Sequence, residues 1–106
     1  MPVNPYLELT RPEHGIIAGV ASVSAYIFSG GRSPLVSISL LISAFAAEAF
    51  LFITNDLLNM SEDSINRPNA PLVSGRAQRS KAIIFAIISL IISIFPMLAL
   101  VMLRVI

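Results

Sequence analysis

LVSISLLISAFAAEAFLFIT, residues Leu35 to Thr54, carries one charged side chain, Glu48, in twenty positions. Wound as an α-helix rising about 1.5 Å per residue, it spans roughly 30 Å, the thickness of bilayer hydrocarbon. Ala82 to Leu103 repeats the pattern over twenty-two positions with no charge at all. A third apolar run, Gly15 to Gly31, is shorter, and its helix is expected to begin upstream near Thr10. Composition agrees: 56% of the residues are hydrophobic and 12% charged, about half the charge of an ordinary soluble domain. These runs predict an all-α integral membrane bundle of three transmembrane helices, at about residues 10–31, 34–66 and 79–104, in a single membrane domain over 1–106.

Charge and cysteine usage exclude whole classes of function. A formal net charge of +1, with no basic run, leaves nothing to replace the counterions of a phosphate backbone, so nucleic acid is not expected as a partner. With no cysteine, disulfides, thiolate metal sites and cysteine nucleophiles are absent together. Met1 to Glu8 holds no basic residue and includes Pro2 and Pro5, so the first helix reads as a retained span rather than a cleaved signal. Arg67, Arg76, Arg79 and Lys81 fall between the second and third spans and Arg11 at the start of the first, against Arg32 and Arg104 at the opposite ends. The positive-inside tendency then places the N-terminus and the loop 55–81 in the cytoplasm of a multi-pass cell-membrane protein.

Local signals refine the spans. Thr10 is expected to cap the first helix, with Pro12 in its first turn and Glu13 completing a capping box. Gly15 and Gly19, Ala18 and Ser22, and Ala21 and Ala25 are each four apart, which predicts a face packed closely against protein. Ser29 to Pro34 reads as a short turn joining an antiparallel hairpin. The second helix is expected to run without interruption from its apolar part into Asn55 to Asp63, because no Gly or Pro intervenes. Pro96, inside the third span, predicts a kink near Ile92.

At about 100° per residue from Asn55, Asp56 falls near 100°, Asn59 near 40°, Asp63 near 80°, Glu62 near −20° and Asn66 near 20°. Carboxylates and amides thus share an arc of roughly 120° where the helix leaves the hydrocarbon. Oxygen donors of this kind suit a hard divalent cation. Magnesium is the natural occupant, since it is commonly held by one or two carboxylates together with substrate phosphates. A diphosphate supplies those phosphates, and a polyisoprenoid tail would lie among the helices. Polar helix ends that merely satisfy caps and solvent produce the same spacing, so spacing alone leaves both readings open.

The neighbouring residues add a resemblance. Asn55-Asp56-x-x-Asn59-x-x-x-Asp63, followed by Ile65-Asn66-Arg67-Pro68-Asn69-Ala70-Pro71 and Leu72-Val73-Ser74-Gly75-Arg76, resembles the NDxxDxxxD signature of the UbiA family of intramembrane prenyltransferases with its NRPxRP and SG tail. Leu7-Glu8-Leu9-Thr10-Arg11-Pro12 is similar to that family's first-helix entry. Within the family, the opening through Tyr6, Leu7, Glu8 and Leu9 and the Asn-Arg-Pro tail resemble the archaeal digeranylgeranylglyceryl phosphate synthases most. The resemblance implies the N-terminal three-helix part of a nine-helix bundle that transfers a prenyl group from its diphosphate to a lipid or aromatic acceptor. It implies a Mg2+ cofactor held by Asp56 and Asp63, and diphosphate binding by Asn55, Asp56, Asn59, Asp63, Arg67 and Arg76. Arg67 and Arg76 are equally well read as loop charges of the positive-inside pattern.

Three positions depart from the family pattern. Asn59 replaces the middle Asp, Ala70 replaces the second Arg of the tail, and His14 stands where the first-helix entry usually has Asn. Loss of a negative charge at Asn59 predicts weaker metal binding, which Glu62 could offset in part. His14 reads either as an acceptor contact or base, or as an ordinary polar residue at the membrane edge. No carboxylate follows Asp63, so the family's second Asp-rich motif is missing. The expected partners are therefore prenyl diphosphate, the bilayer, and further helices of the same enzyme or a self-associated bundle. The competing expectation is a non-catalytic three-helix membrane protein or subunit that keeps only the diphosphate-binding motif. A CDP-alcohol phosphotransferase ranks last, because its DGxxAR and GxxxDxxxD pattern is absent. Glu48 lies near 20° on the same wheel, and a carboxyl inside a span reads either as functional or as an uncharged contact with another helix.

Overall fold

The Asn4 side chain accepts from the backbone N–H groups of Tyr6, at 2.9 Å, and Leu7, at 3.4 Å, and Pro5 follows at the first helical position. A side-chain cap and a proline that needs no N–H partner together start a short helix, α1 (Pro5–Thr10). In a computed structural model describing residues 4–105, four more helices follow: α2 (Pro12–Phe28), α3 (Pro34–Leu58), α4 (Met60–Asn66) and α5 (Arg79–Met102). No strand occurs among the described residues. The chain is all-helical, as its composition indicates.

Two helices, α3 with 25 residues and α5 with 24, are long and apolar enough to cross a membrane. The 17 residues of α2 fall short of that length, so three spans are not established by length. The expected single helix 10–31 is divided at Arg11, which takes a left-handed conformation with φ 47° and ψ 66°. Proline disfavours the α conformation in the residue before it, and Pro12 has that effect on Arg11. Thr10 does not cap α2: its hydroxyl donates to the Leu7 carbonyl at 2.7 Å, and Arg11 occupies the N-cap without a side-chain bond. Glu13 is exposed and makes no capping box.

The expected continuous helix 34–66 is likewise divided, at Asn59, with φ −105° and ψ 22°. The Asn59 amide donates to Asn55 Oδ1 at 2.7 Å, so its side chain bonds locally across the break. Backbone bonds still bridge the junction, from Asn59 N–H to Asn55 and from Asp63 N–H to Asn59. Asparagine adopts such non-helical conformations at small cost because its side chain competes for nearby polar groups. Pro96 lies inside α5, which remains one helix from Arg79 to Met102.

Helix α3 is the centre of the bundle, with α2 on one flank and α5 on another. Gly15 and Gly19 are buried against α3. A Cβ on Gly19 would lie 2.4 Å from a Leu41 methyl and 3.3 Å from the Leu41 carbonyl oxygen, so the absence of a side chain sets the approach of the two helices. Ala18 and Ser22 are half-buried, whereas Ala21 and Ala25 are exposed; the close face is narrower than the three small-residue pairs suggested. The turn Ser29 to Ser33 reverses the chain through Gly30 at φ +99°. Ser33 caps α3 by accepting from Val36 N–H at 3.3 Å.

At the polar end, Leu9, Ile53, Leu72, Ala77, Ala82 and Ala86 form one buried cluster, flanked by Tyr6, Phe50, Leu57 and Met60. The loop 67–78 is therefore packed onto the helices. Ala77 N–H donates to Pro71 at 3.0 Å, Gln78 N–H donates to the Tyr6 hydroxyl at 3.0 Å, and Pro71 is fully buried. This packing fixes α1, the loop and the start of α5 around the end of α3.

Candidate functional site

Asp56 is the last buried residue of α3, 3% exposed although it carries a carboxylate. Burying a charge is costly unless it is paired, and two guanidiniums pair it. Arg11 Nη2 donates to Asp56 Oδ1 at 3.1 Å, and Arg67 Nη1 donates to the same oxygen at 3.3 Å. Arg67 Nη1 also stands 3.5 Å from Asp63 Oδ2. Two carboxylates from two helices thus converge on one cationic nitrogen. The break at Asn59 separates the helices that carry them.

Arg11 is the residue that the sequence reading missed as part of the site. The sequence marks it only as a topological charge, yet its left-handed backbone directs its side chain across to α3. The Arg11 guanidinium also lies over the Phe52 ring, 4.6 Å from the centroid, a cation–π contact that orients it. His14 packs on the same ring at a centroid distance of 5.0 Å and remains half-exposed at the rim, with Glu13 3.9 Å away. The overlooked signal was Arg-Pro, which ends one helix and turns the arginine out of register with the next.

The other site candidates stand apart from this cluster. Asn55 and Glu62 are exposed. Asn59 bonds Asn55 rather than an Asp. Arg76 is held by Glu8, with contacts of 3.0 Å and 3.4 Å, and by the Asn69 carbonyl. Glu62 does not join Asp56 and Asp63: no three His, Cys, Asp or Glu side chains gather as a metal cage among the described residues. The pair Asp56 and Asp63 still fits a magnesium ion that arrives with phosphate, because that ion needs only one or two carboxylates and completes its shell with phosphate and water. Arg67 Nη1 stands within 3.5 Å of an oxygen of each carboxylate.

An apolar groove of about 560 Å³ opens between α2, α3 and α5, lined by Ile16, Val20, Phe45, Ala46, Ala49 and Ile92 among others. Thr10, next to Arg11 in the chain, also lines it. Ala49 lies two turns before Asp56 on the buried stripe of α3. The charged cluster and the apolar groove thus share α3, although none of Arg11, Asp56, Asp63 and Arg67 lines the groove.

An all-helical chain with this motif and this cluster is related to the UbiA-type prenyltransferases. Its particular relatives are digeranylgeranylglyceryl phosphate synthases: that of Sulfolobus acidocaldarius is 35% identical over 89% of this chain and 36% of its own length. The Methanothermobacter thermautotrophicus enzyme is 33% identical over 81% of the chain and 30% of its own length. The Methanoregula boonei enzyme is 29% identical over 90% and 36%. The chain thus spans about a third of the length of the curated relatives it matches. No family model and no solved structure matches it.

Proposed function

We propose that the chain takes part in transferring a prenyl group, geranylgeranyl being the one its relatives' name contains, from its diphosphate to a lipid or aromatic acceptor in the membrane. The observation that carries this reading is the convergence of Asp56, Asp63, Arg11 and Arg67 beyond the apolar part of α3, the helix that also lines an apolar groove. A prenyl diphosphate has the same polarity: a multiply charged head on a hydrocarbon tail.

In this reading α2, α3 and α5 all lie in the cell membrane, the multi-pass chain keeping its N-terminus and loop 55–81 on the cytoplasmic side. Arg67, Arg76 and Arg11 bind phosphate oxygens, for which the guanidinium fork is suited. Asp56 and Asp63 hold magnesium, and the amides of Asn55 and Asn59 orient the head group from the outer side. A magnesium ion held there would supply the positive charge that makes diphosphate a better leaving group. The groove keeps water from the tail, and His14, packed on Phe52, meets the acceptor. Further helices complete the enclosure, as the coverage of only a third of the relatives' length suggests.

A second reading, a non-catalytic membrane subunit that retains the motif, is favoured by one observation: Asp56 and Asp63 are already satisfied by arginine. Calorimetry on detergent-solubilised protein with geranylgeranyl diphosphate, with and without magnesium, separates the two. Magnesium-dependent binding that disappears in Asp56→Asn/Asp63→Asn supports the diphosphate site. Equal binding by the double variant removes it.

A further inference from the structure

The two guanidiniums on Asp56 are held very differently. Arg11 Nη2 stands 3.1 Å from Oδ1, with the side chain 26% exposed, the backbone left-handed and the guanidinium laid over the Phe52 ring. Three constraints hold it. Arg67 is 43% exposed and its contacts are longer: Nη1 is 3.3 Å from Asp56 and 3.5 Å from Asp63, its only side-chain partners among the described residues. Its backbone ends α4 with φ −138° and ψ 64° and leads into a loop whose Ala70, Pro71, Leu72 and Ala77 are buried. The backbone is anchored, while the exposed part of the side chain has room to turn. Asp56 and Asp63 carry two negative charges and the two arginines two positive ones, so the cluster is formally neutral.

We infer, on the diphosphate reading proposed above, that Arg67 is an exchangeable placeholder: it gives up Asp56 and Asp63 to a divalent cation and moves to the diphosphate that arrives with it, while Arg11 stays on Asp56. A formally neutral cluster offers magnesium alone little net attraction, and magnesium parts with its water reluctantly. The carboxylates are also engaged. A cation drawing on an oxygen of each competes with a guanidinium nitrogen already within 3.5 Å of both. Diphosphate changes the balance, because its oxygens give the displaced guanidinium a forked anionic partner. No charge in the partly buried site is then left unpaired. Asp56, 3% exposed, keeps a cationic partner throughout, since Arg11 does not leave it. The arginine contacts that satisfy both carboxylates in the absence of ligand are thus the resting half of a cycle. Cation and diphosphate load together, and neither is held firmly alone.

Magnesium titrations by calorimetry on the detergent-solubilised chain, with and without geranylgeranyl diphosphate, test the exchange. In the wild type the diphosphate should raise magnesium affinity about tenfold. Arg67→Gln should raise affinity for magnesium alone about tenfold, since a like charge and a competitor are both removed, and should weaken magnesium-dependent diphosphate binding by a similar factor. Opposite signs mark the exchange. Arg11→Gln removes the same charge without freeing Asp63, so its gain for magnesium alone should be no more than about threefold. Equal gains for the two arginine variants, or no gain for Arg67→Gln, overturn the inference. The wild type decides it too: magnesium affinity unchanged by diphosphate overturns the exchange whether or not Arg67→Gln folds. Diphosphate binding that needs magnesium and is lost in Asp56→Asn/Asp63→Asn, with no gain in Arg67→Gln, defeats only the exchange. Diphosphate binding that survives the double carboxylate variant defeats the site reading and the exchange with it.

Discussion

Arg11 and Asp56, forty-five residues apart, are joined by a 3.1 Å bond from Nη2 to Oδ1. This bond ties the junction of α1 and α2 to the last buried turn of α3. Only a break in the first helix lets the arginine make it, since a continuous helix would carry the side chain around its own axis. The same break gives α1 the freedom to pack on the loop and on Phe85, whose ring stands 5.2 Å from that of Tyr6.

Asp56→Ala should therefore destabilise the protein by about 2 kcal/mol. Removing one member of a fully buried pair costs about 3–5 kcal/mol, and the figure is reduced because Arg11 and Arg67 are partly open to solvent. Thermal unfolding in detergent measures it. Arg11→Ala should cost about 1 kcal/mol less, since Arg67 still holds Asp56. Equal melting temperatures for wild type and Asp56→Ala would show that the cluster contributes nothing to the fold.

Gly19→Ala should destabilise by about 1–2 kcal/mol, because the new methyl meets the Leu41 side chain and forces it aside. The double variant Gly19→Ala/Leu41→Ala isolates the cause. Its loss should be smaller than the sum of the two single losses, the coupling expected of side chains in contact. Additive losses would mean that the α2 and α3 contact does not limit the approach.

Composition alone identified α3 and α5, because a run of twenty apolar residues is long enough to need no periodicity. The breaks were harder to read. Arg11 carries a local signal in the following Pro12, and α1 carries one in Asn4-Pro5, but the long apolar run that follows masks both. Asn59 had none of the usual marks, for neither Gly nor Pro stands there, and its local bond to Asn55 becomes evident only in three dimensions. A wheel drawn through that break groups Asp56 and Asp63, which Arg67 bridges, with Glu62 and Asn55, which the structure leaves exposed. Tertiary pairing with arginine selected among the candidates. Residue spacing could not.

Glu8→Gln should change stability by less than about 1 kcal/mol, as expected for an ion pair whose members are both about two-fifths exposed. Its effect on ligand should be larger. Arg76 loses its carboxylate partner and becomes available to phosphate, so geranylgeranyl diphosphate should bind about threefold more tightly, a gain of under 1 kcal/mol. Calorimetry at two salt concentrations checks this. Unchanged affinity would place Arg76 in the loop structure and outside the diphosphate site.

Asn59→Asp tests the weakest position of the motif. The substitution restores a negative charge between Asp56 and Asp63 in sequence and removes the amide that donates to Asn55. Oxygen ligand charge governs affinity for a hard cation, so magnesium in the presence of geranylgeranyl diphosphate should bind about tenfold more tightly. Without diphosphate the gain should be much smaller, because phosphate oxygens supply the rest of the magnesium shell. Asn59→Ser is the control: it also removes the amide but adds no charge, and it should leave magnesium affinity near that of the wild type. A comparable gain for the serine variant would assign the effect to release of the helix break, and no gain for Asn59→Asp would show that this side chain does not face the cation.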